Sequence, residues 1–330
     1  MKKTNLIALL ALAATPAFLH AQTNYSDVVG YQKITLPYGG KAVAPTFIKA
    51  SVFSGTATIS GTTISVASGA LSGLSLGPTA FSNRANYPKY YAEVTDTNSP
   101  FYGYNFDIAS HTSSADSFTS ENLPTQLAND GVTQVPISGS VAIEIRPHIT
   151  LADLSPASLS DGDSISMAND PTGDQKVFYV YNGGWIGSDF NPNKDFSHVI
   201  IPPGFGFAYS AQNSELTLTL VGKVKNTPTA VPVYQNAYAN IVAAINPSTT
   251  VDYAGQNIAN GIGDGAAFTQ YSSDGSFTET QVYYSANGGL VNSAFRPVSS
   301  ANISGGEAVN VGALNSDMVW MVPAAIARGN

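Results

Sequence analysis

The sequence predicts an all-β protein built from two or three small antiparallel domains of sandwich-like or barrel-like form, with few short helices. Three observations support this fold class. Apolar and polar residues alternate with a period of two along most of the chain. Turns rich in Gly, Pro, Asn and Asp separate the alternating segments at a spacing of roughly 8–12 residues. Similar segments also recur along the chain, which predicts an internal duplication.

The alternating segments predict the strands in order. Residues 56–66 form a predicted hairpin whose turn is Ser60-Gly61. Single strands are predicted at 90–94, 103–108, 141–146, 177–181, 205–209 and 216–221. Helical pattern is scarce, and each of the segments 121–128, 151–154 and 253–259 could form a short helix or a turn.

Internal repetition predicts two related β-units. Residues 177–185 resemble 282–290, and residues 201–215 align without gaps with 303–317. The predicted organisation is an N-terminal β-domain at 22–150, a first repeat unit at 151–221 and a second, related unit at 222–330. Residues 52–150 of the N-terminal domain are predicted to be an insertion of hairpins.

The N-terminus predicts export. Lys2 and Lys3 precede a compact apolar run at 6–14, which has the length of a signal-peptide core and is too short to span a bilayer. We predict a signal peptide at residues 1–21, cleaved after Ala21, with Ala17 as the alternative. The protein is then expected in the periplasm, on the outer envelope surface or outside the cell. No later stretch is apolar enough to predict a transmembrane helix.

Composition excludes several function classes. The 330 residues include 14 Lys and Arg, 22 Asp and Glu, and no Cys. Removal of residues 1–21, which carry two lysines and no acidic residue, leaves a net charge of −10. The acidic balance and the lack of a basic run predict that nucleic acid is not a partner. Without Cys, disulfides, thiolate zinc sites and a Cys nucleophile are excluded.

Three motifs resemble a known family. They are D-V-V-G-Y at 27–31, Y-N-G-G-W at 181–185 and I-P-P-G-F-G at 201–206. Together they resemble a family of secreted β-rich proteins from verrucomicrobial bacteria, and the resemblance covers most of residues 27–225. It implies an exported β-rich protein and carries over no catalytic residue.

One loop has the spacing of a calcium site. Oxygen-bearing side chains occupy positions 1, 3, 5 and 7 of a loop that starts at residue 189, namely Asp189, Asn191, Asn193 and Asp195. Lys194 stands at position 6 instead of Gly, and Ile200 stands at position 12 instead of Glu. A calcium loop and an ordinary polar hairpin loop both remain open.

Acidic residues also suggest hydrolytic chemistry. Asp161, Asp163, Asp189 and Asp195 could supply the paired carboxylates of a hydrolase acting on polysaccharide. The Asp161-Gly-Asp163 pattern is equally typical of a tight turn before a strand. Because the sequence offers no coherent catalytic set, we predict that the protein is not an enzyme.

Aromatic residues are the remaining candidate for a binding surface. Tyr87, Tyr90, Tyr91, Tyr102 and Tyr104 concentrate in one predicted hairpin region. Exposed tyrosine rows can stack on sugars or pack between subunits, whereas the alternative is packing on the face of a sheet. The histidines have no metal-ligand spacing, which predicts surface or hydrogen-bonded structural roles.

Together these observations predict an exported, non-catalytic β-scaffold of the cell envelope or extracellular space. Its expected partners are a second copy of itself or cell-surface glycan. No cofactor is expected apart from calcium at the 189–195 loop. A secreted polysaccharide hydrolase is the first alternative, and an outer-membrane β-barrel is the second.

Overall fold

The computed structural model describes residues 29–36, 38–43, 45–81, 84–128, 133–154, 159–170, 176–213, 215–243, 251–253, 263–271, 277–303, 305–312 and 314–323. The predicted signal peptide lies outside the described residues. Strands form nearly all the regular structure, and their ladders are antiparallel. The helices within the described ranges are the short 3₁₀ turns Leu151–Leu154 and Ser285–Asn287. The predicted fold class is confirmed.

The strands occur in chain order. The first group is β1 (Val29–Leu36), β2 (Lys41–Val43) and β3 (Phe47–Ile48). The second group is β4 (Phe53–Ser60), β5 (Thr63–Val66), β6 (Thr79–Phe81), β7 (Arg84–Tyr87), β8 (Tyr90–Val94), β9 (Asn105–Asp107), β10 (Ser110–His111), β11 (Ser117–Thr119), β12 (Thr125–Leu127), β13 (Gln134–Pro136) and β14 (Gly139–Pro147). The third group is β15 (Ile149–Thr150), β16 (Ser164–Met167), β17 (Lys176–Tyr181), β18 (Gly184–Gly187), β19 (Ile200–Ile201), β20 (Phe207–Ser210) and β21 (Leu216–Val224). The fourth group is β22 (Thr229–Val233), β23 (Asn240–Ala243), β24 (Val251–Asp252), β25 (Ala267–Tyr271), β26 (Phe277–Tyr284), β27 (Gly289–Val291), β28 (Asn302–Ile303), β29 (Ala308–Gly312) and β30 (Met318–Val322).

Three large hydrophobic cores divide the described residues into groups, which we name lobes, and a small cluster of Ala42, Ile241 and Ala308 lies between two of them. The first-lobe core combines residues from 34–47 with residues from 151–224. The second-lobe core lies within 57–145, and the third-lobe core lies within 231–322. The chain therefore leaves the first core after β3, builds the second core, and returns to the first core at β15.

The first lobe consists of a five-stranded sheet in the order β18-β17-β16-β20-β2 and a three-stranded sheet in the order β1-β21-β3. Strand β1 alternates between exposed and buried residues, so that Ile34 and Leu36 enter the core while Tyr31 stays 70% exposed. Trp185 is buried in this core, and its indole N–H donates to the Leu151 carbonyl at 2.9 Å. The indole N–H therefore has a hydrogen-bond acceptor although the ring is buried.

The second lobe is a seven-stranded sheet in the order β10-β11-β5-β4-β14-β8-β9. Strands β4 and β14 pair directly, from Phe53 opposite Ile145 to Ile59 opposite Gly139. The chain enters this lobe along β4 and leaves it along β14, so its two ends lie side by side. Strand β14 lies inside the sheet between β4 and β8, and Ile143 and Ile145 are fully buried there.

The third lobe repeats the first. Its five-stranded sheet has the order β27-β26-β25-β29-β23, which matches the first-lobe order strand for strand. The β22–β30 pair takes the place of β1–β21, and the β24–β28 pair takes the place of β15–β19. The structure thus bears out the internal duplication.

The first and third lobes also share the same Asp-Gly turn at equivalent positions. Gly162 and Gly265 both adopt positive φ, 91° and 93°. The carboxylate that precedes each glycine accepts a backbone N–H from the adjoining hairpin: Asp161 from Asn182 at 2.9 Å, and its counterpart Asp264 from Ser285 at 2.7 Å. Because both lobes contain this contact, it serves folding.

The first and third lobes contact each other reciprocally. Val43 of β2 forms an antiparallel bridge with Glu307, and Phe205 forms the corresponding bridge with Val242 of β23. Strand β2 corresponds to β23 in the two sheet orders, and Phe205 corresponds to Glu307 in the repeat. The two lobes are therefore related by an approximate two-fold axis.

A glycine permits the close approach at this axis. A Cβ added at Gly206 would lie 2.6 Å from Cγ2 of Ile241 and 2.9 Å from the carbonyl oxygen of Val43. It would also lie 3.1 Å from the Cβ of Ala308, the third-lobe counterpart of Gly206. The I-P-P-G-F-G motif thus ends on a residue that the lobe contact requires to be small.

A buried ionic cluster joins the second lobe to the linker that leads into the third lobe. Glu93 of β8 contacts the ammonium of Lys225, and Arg146 Nε lies 3.4 Å from Glu93 Oε2. Arg146 also pairs with Glu144, and Lys225 donates to the Pro228 carbonyl at 2.7 Å. Burial would raise the pKa of Glu93, but the charges of Lys225 and Arg146 outweigh it and lower the pKa below its ordinary value.

The strand predictions agree with the structure except at their ends. The predicted hairpin at 56–66 is β4 and β5. Of the segments left open, 151–154 is a 3₁₀ turn, and most of 253–259 lies outside the described residues. Segment 121–128 contains β12, which pairs with β13, so the short-helix alternative is wrong there. Cross-strand hydrogen bonds stabilise these few residues more than an isolated helical turn could.

Candidate functional site

A cleft of about 640 Å³ opens where the second lobe meets the first-lobe sheet. Its wall from the second lobe carries Tyr87 and Asp107, at the ends of β7 and β9. Its wall from the first lobe includes Phe178 of β17 and the segment after β18. The lining residues are Tyr87, Pro88, Asp107, Met167, Asn169, Asp170, Lys176, Val177, Phe178, Gly187, Ser188, Asp189, Phe196, His198, Val199, Ile200, Pro202, Phe205 and Gly206.

Four rings form a continuous row along the cleft. The Tyr87 and His198 rings are perpendicular, with centroids 5.0 Å apart. His198 stacks on Phe196 at 6.4 Å, and Phe196 contacts Phe178 at 5.4 Å. Tyr87 is fixed in place because its hydroxyl accepts the Ile200 N–H at 2.8 Å. Phe196 and His198 are half-buried, whereas Tyr87 and Phe178 are buried, so Phe196 and His198 are the rings of the row with the most exposed surface.

The sequence around β18 positions this row. A Cβ at Gly187 would lie 2.9 Å from the ring of Phe196, so only glycine lets that ring lie against the strand. Asn169 fixes the neighbouring wall, because its amide accepts from the N–H of Ile241 and donates to the carbonyl of the same residue, both at 3.1 Å. The cleft is thus fixed by contacts from all three lobes.

Polar groups converge on the same cleft. Asp107 Oδ1 lies 3.0 Å from Nε2 of His148, which is 2% exposed. The other nitrogen of His148, Nδ1, has no hydrogen-bond partner among the described residues. The tautomer with its proton on Nε2 leaves no N–H unpaired, so we assign His148 as the donor to Asp107.

The other two carboxylates of the cleft are paired with lysines. Asp170 lies 2.9 Å from the ammonium of Lys176, and Asp189 lies 2.5 Å from that of Lys194. Hydrogen bonding from Lys194 lowers the pKa of Asp189. All three carboxylates of the cleft are thus acceptors for hydrogen bonds at its rim.

The third lobe does not repeat the aromatic lining. Phe178 pairs with Ile165 across β16 and β17, whereas the corresponding pair in the third lobe is Gln281 with Phe268. Phe205 likewise corresponds to Glu307 in the reciprocal bridges. Phe178 belongs to the first-lobe core and Phe205 packs against the third-lobe core, so both rings also serve packing.

The structure places the predicted calcium loop at the rim of this cleft. Asp189, Asn191 and Asp195 each accept a backbone N–H two residues ahead, as side chains of Asx turns do. Lys194 holds Asp189, so a cation would have to displace an ammonium group. Within the described ranges, no three His, Asp or Glu side chains come together as potential metal ligands. The calcium site stays a prediction.

The remaining predicted carboxylates lie elsewhere. Asp161 caps the tip of the β17–β18 hairpin, while Asp189 lies beyond the opposite end of β18, a strand about 13 Å long at the usual rise. Asp163 is buried, accepts the Tyr209 hydroxyl and accepts the Gln212 N–H at 2.9 Å. Burial and the carboxylate raise the pKa of Tyr209. Asp163 therefore ties two first-lobe strands together.

Sequence reasoning identified one ring of the cleft and missed the others. Of the five predicted tyrosines, Tyr87 lines the cleft. The other four, Tyr90, Tyr91, Tyr102 and Tyr104, are buried or half-buried in the second lobe, so they do not form an exposed row. Phe178, Phe196 and Phe205 come from three separate segments of the first lobe. The signal that could have found one of them is that the sequence repeat places Glu307 opposite Phe205, whereas it places another aromatic residue, Tyr283, opposite Phe178.

No known protein family, curated protein or solved structure matches this chain. The part of the chain that the structure describes also contains no helix with the length and apolar character needed to cross a bilayer. A function is therefore inferred from the cleft itself.

Proposed function

We propose that this chain is an exported, non-enzymatic β-scaffold that binds carbohydrate of the cell envelope or its surroundings in the aromatic cleft. The half-buried rings of Phe196 and His198 carry the proposal, because sugar rings present C–H faces that pack on aromatic surfaces. The buried rings of Tyr87 and Phe178 contact them at either end of the row. The rim carboxylates and the Ser188 hydroxyl supply the hydrogen-bonding groups that a polyhydroxyl ligand needs.

The dimensions of the cleft support this proposal. Its volume of about 640 Å³ falls within the roughly 300–1,000 Å³ of small-ligand sites. Its lining is mainly apolar with a few polar groups, which is the usual balance of such sites. A saccharide unit has the matching character, with an apolar face and a polar perimeter.

The engagement of the carboxylates supports a binding role rather than a hydrolytic one. Hydrolases of glycosidic bonds need two carboxyl groups facing one substrate bond, about 5–9.5 Å apart. Asp161 and Asp163 accept backbone and tyrosine hydrogen bonds away from the cleft. Within the cleft, Asp170 and Asp189 are held by lysines, which leaves Asp107 without a second open carboxylate among the described lining residues. These contacts give each group a structural partner.

A glycan screen with matched variants tests the proposal. Purified mature protein is presented with an array of neutral, acidic and amino oligosaccharides, and hits are measured by calorimetry. Phe196→Ala should weaken binding roughly tenfold or more by removing the central ring. Tyr38→Ala removes an exposed aromatic outside the cleft and should leave binding unchanged. Lack of binding to every glycan class, or equal binding by the Phe196 variant, would refute the proposal.

Self-association is a second candidate, favoured by β1. This strand forms one edge of its sheet, and its exposed face carries Val29 and Tyr31 beside Val221 of β21. An edge strand that exposes apolar side chains can pair with the same strand of a second copy, and Lys33 on the same face limits this pairing. Analytical ultracentrifugation over a range of concentrations would detect such pairing, and Tyr31→Lys should reduce it.

Export is also part of the proposal. The Lys2–Lys3 pair and the apolar run after it support a signal peptide, and the three sequence motifs support membership of the secreted verrucomicrobial family that they resemble. Cell fractionation and the mass of the mature chain test this directly. A mass that includes residues 1–21 would contradict export by this route.

A further inference from the structure

The charges around the cleft are unbalanced. Three carboxylates line it, from Asp107, Asp170 and Asp189, against the single ammonium of Lys176. Lys194, outside the lining, pairs with Asp189. A charge of about −1 therefore remains at the site, which disfavours an acidic ligand and favours a cationic one.

Asp107 is the carboxylate that carries this remaining charge. Lys176 and Lys194 neutralise Asp170 and Asp189, whereas Asp107 has no lysine or arginine within ion-pair distance among the described residues. Its hydrogen-bond partner is the buried imidazole of His148, and its side chain is 34% exposed. Asp107 is thus both held in position and open to a ligand.

The pKa of Tyr234 reflects the negative charge of these carboxylates. Burial raises the pKa of Tyr234, and the charges of Asp317, Asp170 and Asp107 raise it further. The charges of Asp107 and Asp170 therefore act together at the junction of the lobes. The half-buried ring of Phe196 lines the same cleft, and the face of an aromatic ring attracts a cation.

We infer that the cleft selects amino sugars with a free ammonium group, and that Asp107 pairs with this group while the aromatic row packs on the sugar ring. This inference rests on the proposed carbohydrate-binding function and deepens it. The ligand class is a glycan of deacetylated amino sugars, because acetylation removes the positive charge and uronic acids would add a negative one.

The test compares three short oligomers of equal length: β-linked glucosamine, β-linked N-acetylglucosamine and a uronic acid oligomer. Calorimetry with the mature protein at low and physiological ionic strength should show glucosamine binding about 10- to 100-fold more tightly than its acetylated form, as a charge-assisted hydrogen bond implies. The uronic acid oligomer should bind most weakly. The preference should shrink as salt is added.

Asp107→Asn keeps the acceptor for His148 and removes the charge, so it should abolish the preference and leave binding of the acetylated oligomer within about twofold. Glu215→Gln removes one exposed carboxylate outside the cleft and should change nothing. Equal binding of glucosamine and N-acetylglucosamine, or a preference that survives in Asp107→Asn, would overturn the inference and leave the proposed function standing. Absence of binding to all three oligomers and to every other glycan class would overturn both.

Discussion

Replacement of Lys225 by Met is expected to destabilise the protein strongly. The Lys225 ammonium is fully buried and contacts Glu93, the Thr227 hydroxyl and the Pro228 carbonyl. Met has a similar length and fills the same space without a charge. The variant leaves Glu93 and Glu144 to share the single positive charge of Arg146. One uncompensated negative charge then remains out of water.

The magnitude follows from that charge. Breaking a buried ion pair by removing one partner costs about 3–5 kcal/mol. The double variant Lys225→Met with Glu93→Gln removes both charges, leaves Arg146 and Glu144 as a neutral pair, and should recover most of the loss. The two substitutions are therefore expected to be strongly non-additive. Lys33→Met, which changes an exposed lysine of β1, should stay within about 0.5 kcal/mol of the parent chain.

Chemical denaturation with two probes measures these effects. Trp185 reports the first lobe and Trp320 reports the third lobe, since they are the two tryptophans of the chain. Hydrogen exchange of the β8 and β14 amides reports the second lobe. The reasoning would be refuted if Lys225→Met cost no more than Lys33→Met, or if the double variant lost the sum of the two single effects.

Three further predictions concern pH, the lobe contact and calcium. Because its neighbours lower the pKa of Glu93, the stability that this carboxylate contributes is complete above its unfolded-state pKa of about 4.3 and is lost as pH falls through its lower folded-state pKa. Glu93→Gln should therefore reduce the loss of unfolding free energy at acidic pH, measured by denaturation at a series of pH values. An unchanged loss at acidic pH would contradict this prediction. Gly206→Ala should cost about 1–3 kcal/mol in denaturation because its Cβ would meet Ile241 and Val43, while Gly312→Ala, which has open space, should cost less than the Gly206 change. Lys194→Gly should tighten calcium binding in calorimetry because it frees Asp189 and supplies the residue that such loops have at that position, and undetectable binding in both forms would end the calcium hypothesis.

Local signals in the sequence were sufficient for the strands and the duplication. The turn at Ser60-Gly61 and the Asn182-Gly183 hairpin tip depend on residues that tolerate positive φ, and Asn182, Gly61 and Gly183 adopt it. The alignment of residues 177–185 with 282–290 matches the structure at the hairpin turn but not along the strand that precedes it. Val180 pairs with Trp185, whereas Tyr283 pairs with Leu290, so the second hairpin is two residues longer.

The cleft and the ionic cluster depend on distant contacts that no local pattern encodes. Glu93 and Lys225 are 132 positions apart, and Tyr87 bonds to Ile200 across 113 positions. In the sequence, Glu93 sits in an alternating segment where an exposed position would be expected. Its burial follows from the linker that covers the second face of β8, which only the fold of the whole chain determines.

The reciprocal contact between the first and third lobes has a consequence for assembly. Two separate copies of such a unit would associate as a homodimer, and their pairing would depend on concentration. Covalent linkage in tandem makes the association intramolecular, with an effective concentration on the order of millimolar for short linkers. Dilution would separate a dimer, whereas the closure of the linked pair, with its Val43–Glu307 and Phe205–Val242 bridges, does not depend on concentration.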